Sequence, residues 1–480
     1  MVTGSEHAPV GPYADGPTPQ ALRVERPELN RFGIVEFART LVIVTVVAVT
    51  TGWGALVGML RLGDGGLRPA AVRRRLRRGA AEGTVRGFEI LGPTFVKIGQ
   101  LIASSPNTFP KLLADACLRC LDEVPPFSVK TVRKTLEADL GHPVEAMFAE
   151  FDDTPLSAAS VAQVHGCVLR DGRPAVVKVQ RPRIARRMLV DLRAAYLLSK
   201  LLERRSEVAR VSNATGVVRD LHDVTCSELN FLVEANNQDR IRANVAAFGD
   251  NTGVAVPEVF WSWCGPKVVC MERMSGMPLD RFDAIRESHA DTQILIRRLV
   301  KAWLEGVTVH GLFHGDVHAG NLWVLDDGRL AMLDFGIVGE MPAGWRAMLK
   351  ALFYANAIDG DFARVGRALR ELGVFDDPKL DNRTVGQQLK LVLGPILGGN
   401  LSRLNLSALT IGLLEFGKRV GISSPEPLIL MAKQLGYFER YAIALAPDWN
   451  LGKDLYLFRN VFPDEVATRT EELGIVLPAV

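Results

Sequence analysis

The chain has few cysteines and almost no net charge. Its 480 residues include six cysteines, and the formal net charge at neutral pH is +3. Cysteines so sparse and scattered do not form the framework of a disulfide-stabilised extracellular domain, and they suit a reducing compartment. A near balance of charge gives no broad electrostatic attraction for nucleic acid, so the composition does not favour a nucleic-acid partner.

The clearest chemical pattern is a set of acidic and amide residues near position 320. His314 to Asn321 reads HGDVHAGN, and Asp334-Phe335-Gly336 follows it. Phosphoryl transfer needs a carboxylate at the reacting hydroxyl and oxygen ligands for Mg²⁺. We therefore predict Asp316 as the catalytic base, and Asn321 and Asp334 as the metal ligands.

The residues between these two ligands predict a β-hairpin. Two short apolar runs, 322–325 and 329–333, flank the turn signal Asp-Asp-Gly. A hairpin would bring its two ends, and with them Asn321 and Asp334, close together in space. The alternative is a surface loop rich in turn residues, which the other motifs make the weaker interpretation.

A strand with one lysine precedes this region and suits a phosphate contact. Residues 175–180 read AVVKVQ, with valines on both faces, which favours a buried strand over an exposed edge for Lys178. The preceding loop, 155–165, contains no glycine. Its small residues still allow backbone N–H groups to approach phosphate, although alanine disfavours the positive φ that glycine permits. The predicted phosphate-binding residues of this loop are Ala158, Ala159 and Ser160.

Two glutamates and a second strand complete the candidate nucleotide site. The apolar spacing between Glu228 and Glu234 places both on one helix, and two solvated helix carboxylates are the alternative. The run 268–274 predicts a strand that leads into a hinge whose backbone contacts an adenine. Met271 and Glu272 would lie there, with core packing as the alternative for the methionine.

These motifs resemble those of the AarF/UbiB-type atypical kinase family. The matching segments are Lys97-Ile98-Gly99-Gln100 for the KxGQ signature, AASVAQVH at 158–165, the glutamate pattern at 228–237, the HxDxHxGN loop and the DFG. They occur in the family's order between about residues 85 and 340. The resemblance implies an α+β, protein-kinase-like two-lobed fold with an N-terminal helical KxGQ extension and a helical C-lobe. It also implies ATP and Mg²⁺ as cofactors, bound between the lobes.

The resemblance further implies roles for the charged residues. Lys178 is expected to grip phosphates and to pair with Glu234. Lys97 is expected to reach the Glu228 region from the added helices. Both lysines are therefore predicted catalytic residues.

Three departures from the family pattern are present, and one segment is missing. Asn230 stands where the family has aspartate, which removes a carboxylate near the phosphates. Val317 and Ala319 replace prolines, so we expect a less restrained loop backbone. No Ala-Pro-Glu follows the DFG, which leaves little activation loop to dock a peptide.

The family resemblance implies an ATPase or small-molecule or lipid kinase that supports membrane isoprenoid-quinone or lipid metabolism. Its partners would be ATP, a membrane lipid or isoprenoid quinone precursor, and enzymes of lipid biosynthesis. The alternatives are an ATP-sensing membrane scaffold with little turnover and, more weakly, a protein kinase. The predicted division is a disordered tail at 1–30, a hydrophobic helix with a basic segment at 31–80, the KxGQ extension at 81–150, the N-lobe at 151–275, the C-lobe at 276–460 and a C-terminal tail at 461–480.

An uncharged apolar run near the amino terminus predicts membrane association. Residues 41–60 carry no charged side chain. At about 1.5 Å per residue such a helix can cross a hydrocarbon layer of about 30 Å. The arginine-rich run at 68–78 would attract anionic lipid and, beside a spanning helix, would place the kinase core in the cytoplasm. Because Trp53 falls mid-span, a single transmembrane helix and an interfacial helix both remain open.

Overall fold

The structure, a computed structural model, falls into two compact units. Unit 1 is Met1–Val233 with Phe260–Glu272, and unit 2 is Glu234–Val259 with Arg273–Val480. The described residues are 10–61, 68–103, 109–121, 125–207, 210, 213–288, 290–375, 381–397, 426–450 and 453–478.

Helices and strands occur in largely separate runs along the chain, as expected for the α+β class, and they are numbered here in chain order. The strands are β1 (Phe148–Ala158), β2 (Ala162–Leu169), β3 (Pro174–Gln180), β4 (Val254–Ala255), β5 (Val268–Glu272), β6 (Gly276–Pro278), β7 (Leu312–His314), β8 (Leu322–Leu325), β9 (Leu330–Met332) and β10 (Val338–Glu340). The helices are α1 (Ile34–Leu60), α2 (Pro69–Leu91), α3 (Pro93–Ala103), α4 (Lys111–Cys117), α5 (Val129–Leu140), α6 (Val144–Met147), α7 (Ile184–Arg205), α8 (Ala214–Glu228), α9 (Phe231–Ala246), α10 (Phe282–Glu287), α11 (Thr292–Glu305), α12 (Ala343–Tyr354), α13 (Ala363–Glu371), α14 (Asn382–Leu397), α15 (Glu426–Leu445) and α16 (Pro463–Leu473).

An antiparallel sheet in the order β1-β2-β3-β5 is the centre of unit 1. Its β3 strand lies between two partners, and Lys178 pairs with Val164 on one side and Val269 on the other. Val177 and Val179, which flank the lysine, are fully buried. The β-branched run therefore forms an interior strand, because its apolar side chains have neighbours to pack against.

The prediction of one helix carrying both glutamates was wrong. Glu228 is the last residue of α8, whereas Glu234 lies in the first turn of α9. Asn230 separates the two helices, and its Oδ1 accepts a hydrogen bond from the backbone N–H of Leu232 at 3.2 Å. An asparagine that caps a new helix in this way ends the apolar periodicity that suggested a continuous one.

The amino-terminal segment 10–30 was predicted as part of a disordered tail, but it lies along unit 1. The side-chain amide of Asn230 donates to the carbonyl of Ala21 at 2.8 Å. Arg193 donates to the carbonyl of Glu28 at 3.0 Å, and Leu29 packs against a buried cluster of α7 and α8. The Asn230 and Arg193 side chains thus donate hydrogen bonds to backbone carbonyls that have no helix or sheet partner. Residues 1–9 lie outside the described part of the chain.

Replacing Asn230 by aspartate is expected to release this segment. The substitution keeps the size of the side chain but removes its N–H donor, so a carboxylate would face the Ala21 carbonyl. The loss of such a bond costs about 1–2 kcal/mol, which predicts cleavage by trypsin after Arg23 at least about fivefold faster. Asn30→Asp is the matched control, because Asn30 accepts a hydrogen bond from Lys200 and a carboxylate would still accept it. Equal cleavage rates in the wild type and Asn230→Asp would contradict the assignment.

Unit 2 contains a mixed sheet, in the order β4-β9-β8-β6, and a separate β7-β10 pair. Its apolar core includes Trp303 of α11 and Phe438 of α15, whose ring centroids lie 5.0 Å apart. The apolar run that forms α15 is thus part of this core. The predicted C-terminal tail is instead partly helical, since α16 buries Val466 in the same core.

Candidate active site

The predicted metal ligands lie at the two ends of the predicted hairpin. Strands β8 and β9 pair antiparallel, and the backbone N–H of Leu333 donates to the carbonyl of Asn321 at 2.8 Å. The side-chain Nδ2 of Asn321 donates to the carbonyl of Asp316 at 3.0 Å. Because the amide nitrogen of Asn321 donates this hydrogen bond, the amide oxygen is the atom that suits a hard cation such as Mg²⁺. Residues 316, 321 and 333 are therefore joined by direct hydrogen bonds.

Asp334 occupies an uncommon backbone conformation with φ of 57°. A left-handed φ is rare outside glycine and costs conformational energy, although aspartate and asparagine tolerate it best. The Oδ1 of Asp334 accepts from the N–H of Gly336 at 3.2 Å, and the next residue, Phe335, is fully buried. The turn therefore anchors its phenylalanine and leaves the neighbouring carboxylate exposed.

His314 orders the loop between these residues. Its Nε2 donates to the carbonyl of Leu333 at 2.9 Å, and its Nδ1 accepts from the N–H of Asp316 at 3.1 Å. The bond that Nδ1 accepts requires the neutral imidazole, and burial lowers the pKa of this histidine. His318 has a smaller role: its Nδ1 accepts from Gly320 at 3.0 Å, and its Nε2 lies 3.6 Å from Asp316 Oδ2.

This arrangement predicts an acid-sensitive loop. Because the folded protein lowers the pKa of His314 from 6.5, the unfolded chain binds a proton here that the folded chain excludes. The stabilisation is present above pH 6.5 and declines as the pH falls below it, by at most about 1.4 kcal/mol per pH unit. We expect His314→Gln to reduce the acid-side slope of the unfolding free energy in denaturant titrations at several pH values. Identical slopes in the two proteins would contradict this.

The loop backbone is more restrained than its lack of prolines suggested. The N–H of Val317 donates to Gln434 Oε1 at 3.0 Å, and Tyr441 donates its hydroxyl to the Val317 carbonyl at 2.9 Å. Both side chains are fully buried on α15. Proline at 317 would lack the N–H that Gln434 binds, so the expected loss of restraint was wrong at this position. Sequence reasoning missed both residues, because they lie 117 and 124 positions from Val317.

Asn237 is another residue whose role the motif comparison did not reveal. It is buried near the start of α9, and its Nδ2 donates to the carbonyl of Phe335 at 3.4 Å. The ring of Phe335 contacts that of His314, with centroids 5.0 Å apart. The DFG turn is thus held from two sides within unit 2.

Unit 1 brings together one pair of predicted charged residues. Lys97 Nζ of α3 donates to Glu228 Oε2, with 13% and 19% of their side chains exposed. The expected contact of Lys97 with the Glu228 region is therefore present. Lys178 Nζ lies 5.4 Å from the centroid of the Phe231 ring. Pairing of Lys178 with Glu234, which is buried, stays a prediction, as do the catalytic roles of both lysines.

The alanine-rich loop is a tight turn between β1 and β2. The N–H of Ala159 donates to the carbonyl of Ala162 at 2.8 Å. Arg181, which sequence reasoning missed, donates from its backbone to Val161 at 2.8 Å and from Nε to Ala159 at 2.9 Å. This bracing supports a fixed turn at Ala158, Ala159 and Ser160; their contact with phosphate stays a prediction.

The second half of that motif is structural. Gln163 accepts from the backbone N–H of Phe127 at 2.8 Å, and His165 donates from Nδ1 to the carbonyl of Asp152 at 2.8 Å. Both side chains are buried. Met271 and Glu272 lie at the end of β5, paired with Val176 and Ala175, and their contact with adenine stays a prediction.

The acidic and amide residues of unit 2 fit a phosphate-bound Mg²⁺. Among the described residues, no group of three or more His, Cys, Asp and Glu side chains is arranged to hold a metal ion. A kinase-type site needs no such group, because one carboxylate, one amide oxygen, water and the phosphates complete the coordination. Asn321 has the amide oxygen and Asp334 the carboxylate, at the two ends of the β8–β9 hairpin. Their binding of Mg²⁺ stays a prediction.

Comparisons with known proteins show the family of this chain. The family described as "ABC1 atypical kinase-like domain" matches residues 119–369. The "Uncharacterized protein Rv0647c" of Mycobacterium tuberculosis is 35% identical, over 76% of this chain and 75% of its own. The "Uncharacterized aarF domain-containing protein kinase At5g05200, chloroplastic" of Arabidopsis thaliana is 31% identical, over 76% and 72%.

Two further similarities come from another bacterium and from a solved structure. The "Probable protein kinase UbiB" of Azotobacter vinelandii is 31% identical, over 80% of this chain and 70% of its own. A solved Mycobacterium tuberculosis chain, Rv3197 in complex with erythromycin, is 24% identical with a TM-score of 0.47, covering 80% of this chain and 99% of that one. From the family match and these curated relatives, the chain belongs to the ABC1 atypical kinase-like family, which includes the AarF and UbiB proteins.

Proposed function

We propose that this protein binds MgATP and hydrolyses it or transfers its terminal phosphate to a small molecule or lipid. The observation that carries the proposal is a pair of hydrogen bonds, from the Asn321 side chain to the Asp316 carbonyl and from the Leu333 N–H to the Asn321 carbonyl. They link the candidate base to one candidate ligand and to the residue that precedes the other. Family membership supports kinase-like chemistry. The link to isoprenoid-quinone or lipid metabolism rests on the sequence resemblance.

The mechanism assigns each residue one task. Asp334 and Asn321 would hold Mg²⁺, which when bound neutralises phosphate charge. Asp316 would accept the proton of the attacking hydroxyl or water, and the neutral His314 keeps its backbone in place. Lys178 is assigned to the α- and β-phosphates from its motif, and the turn at 158–160 to the phosphate oxygens.

ATP binding and phosphate release with and without Mg²⁺ test this proposal. We expect calorimetric ATP binding that requires Mg²⁺, together with phosphate release that disappears with a chelator. Binding without release would favour the second candidate, an ATP-sensing scaffold. Absence of Mg²⁺-dependent ATP binding would contradict both the enzyme proposal and the scaffold. Transfer of phosphate to another protein would instead support a protein kinase.

We also place the protein at a membrane, with its kinase core in the cytoplasm. Among the described residues, only α1 is long and apolar enough to cross a membrane, by length and composition. A membrane location gives access to a lipid or quinone precursor and to the enzymes that process it.

A further inference from the structure

Helix α1 presents a broad apolar face to solvent. Its exposed residues cover about half of the helix circumference, and none of them is charged. Six of the large apolar side chains on this face are each at least 43% exposed: Phe37, Leu41, Val49, Trp53, Leu56 and Leu60. A face of this size on a helix about 40 Å long normally meets a lipid surface or a partner.

Helix α2 lies antiparallel against α1 in direct backbone contact. A Cβ on Gly79 would lie 2.2 Å from the carbonyl oxygen of Gly54, and one on Gly83 would lie 2.2 Å from that of Thr50. The hydroxyls of Thr51 and Thr84 are hydrogen-bonded at 2.9 Å. Small residues at such a contact allow close packing, so the two helices move as one hairpin.

The second helix carries charges beside the part of α1 that has none, residues 41–60. Four exposed arginines lie near the start of α2, Arg73, Arg74, Arg77 and Arg78, and Arg86 is exposed further along it. The first four lie near the closed end of the hairpin, where Arg75 donates to the carbonyl of Arg61 at 2.8 Å. If α1 crossed a bilayer, the part of α2 packed against it would enter the hydrocarbon together with Arg78, Glu82 and Arg86. Burying those charges is costly, so the hairpin packing opposes a spanning α1.

The other end of α1 is fixed to the body of unit 1. Arg39 Nε lies 2.5 Å from Asp191 Oδ1, and Arg193 lies 3.1 Å from Glu36. Ile43 is buried against Leu91, Phe95 and Ala194. The base of the hairpin therefore cannot tilt into a membrane without α7, which carries several arginines.

From this packing we infer that the α1–α2 hairpin lies in the plane of an anionic membrane surface. The apolar face of α1 inserts at the boundary between headgroups and acyl chains, and the exposed arginines of α2 bind lipid phosphates. Trp53 then lies at the depth that tryptophan prefers, whereas a spanning helix would put it mid-bilayer. The inference deepens the proposed membrane location and does not depend on ATP turnover.

Depth measurements along α1 test the orientation in the full-length protein. The six native cysteines are buried, so single cysteines at positions 41, 49 and 56 can carry an environment-sensitive fluorophore. Vesicles would contain phosphatidylcholine and phosphatidylglycerol, with lipids brominated at different acyl depths. We expect the same shallow depth at all three positions. A graded profile with the middle position deepest, or no lipid contact at any position, would overturn the inference.

The second measurement is the vesicle affinity of a variant whose α2 arginines are neutralised. Replacing Arg73, Arg74, Arg77 and Arg78 by glutamine should lower partitioning to these vesicles by at least about a hundredfold, but should change little with phosphatidylcholine alone. The control replaces Arg383 and Arg469, which are exposed in unit 2. An equal loss per arginine in the control would show non-specific charge attraction and overturn the assignment. Both measurements are made without nucleotide, so their failure is distinct from failure of the ATPase proposal.

Discussion

Asp334→Asn is expected to lower Mg²⁺-dependent ATP turnover by about a hundredfold to a thousandfold, because it removes the only full negative charge assigned to the metal. The substitution should leave the fold intact. Asparagine tolerates the left-handed φ of 57° at this position, and its amide oxygen can still accept from the N–H of Gly336. The loss would therefore report on metal chemistry and not on unfolding. Phosphate release at saturating ATP, followed over a range of Mg²⁺ concentrations, is the measurement.

Asp326→Asn is the matched control for that substitution. Asp326 is an exposed aspartate at the turn of the same hairpin. The change is chemically identical, and we expect turnover within about twofold of the wild type, since surface substitutions usually have small effects. If Asp334→Asn turns over ATP like the wild type and still binds it, the metal assignment is wrong and the scaffold gains support.

Lys301→Met is expected to destabilise unit 2 by about 3–5 kcal/mol. Lys301 is fully buried, and its Nζ lies 2.9 Å from Asp250 Oδ1, 2.9 Å from Glu305 Oε1 and 2.8 Å from Asn251 Oδ1. Asn460 donates to the same two carboxylates at 2.8 Å each. Removal of the ammonium would leave Glu305 and Asp250 facing each other with one nearby cation, Arg459, whose Nε lies 3.7 Å from Asp250 Oδ2. Methionine would fill similar space.

Denaturant unfolding of both variants and the wild type checks this effect. The control is Arg469→Met, which breaks an exposed pair with Glu472 whose side chains are 42% and 55% exposed. Such a pair contributes about 0–1 kcal/mol. A loss below 1 kcal/mol for Lys301→Met would show that the buried cluster can be neutralised by protonation or rearrangement.

The parts of the site that were predictable are local in sequence. The hairpin from Asn321 to Asp334 and the lysine of β3 follow from short patterns of alternation and turn residues. The parts that were missed come from distant residues: Gln434 and Tyr441 follow Val317 by 117 and 124 positions. A single sequence contains no local signal that pairs such positions. The break at Asn230 was different, because a capping asparagine before an apolar run is a recognisable helix start.

The chemistry of the loop at 314–321 stays a prediction from sequence. The linear order of residues was enough to indicate the kinase-like family, which the comparisons show, and one helix with an uncharged run at 41–60. It could not establish how that helix meets a membrane. The charge of α1 counted alone is compatible with crossing, but glycine contacts attach the arginine-bearing α2 to it. The path of residues 10–30 was likewise decided by partners far along the chain, Arg193 and Asn230. In both cases the physical reason is the same: the environment of a segment is set by what packs against it, which local composition does not encode.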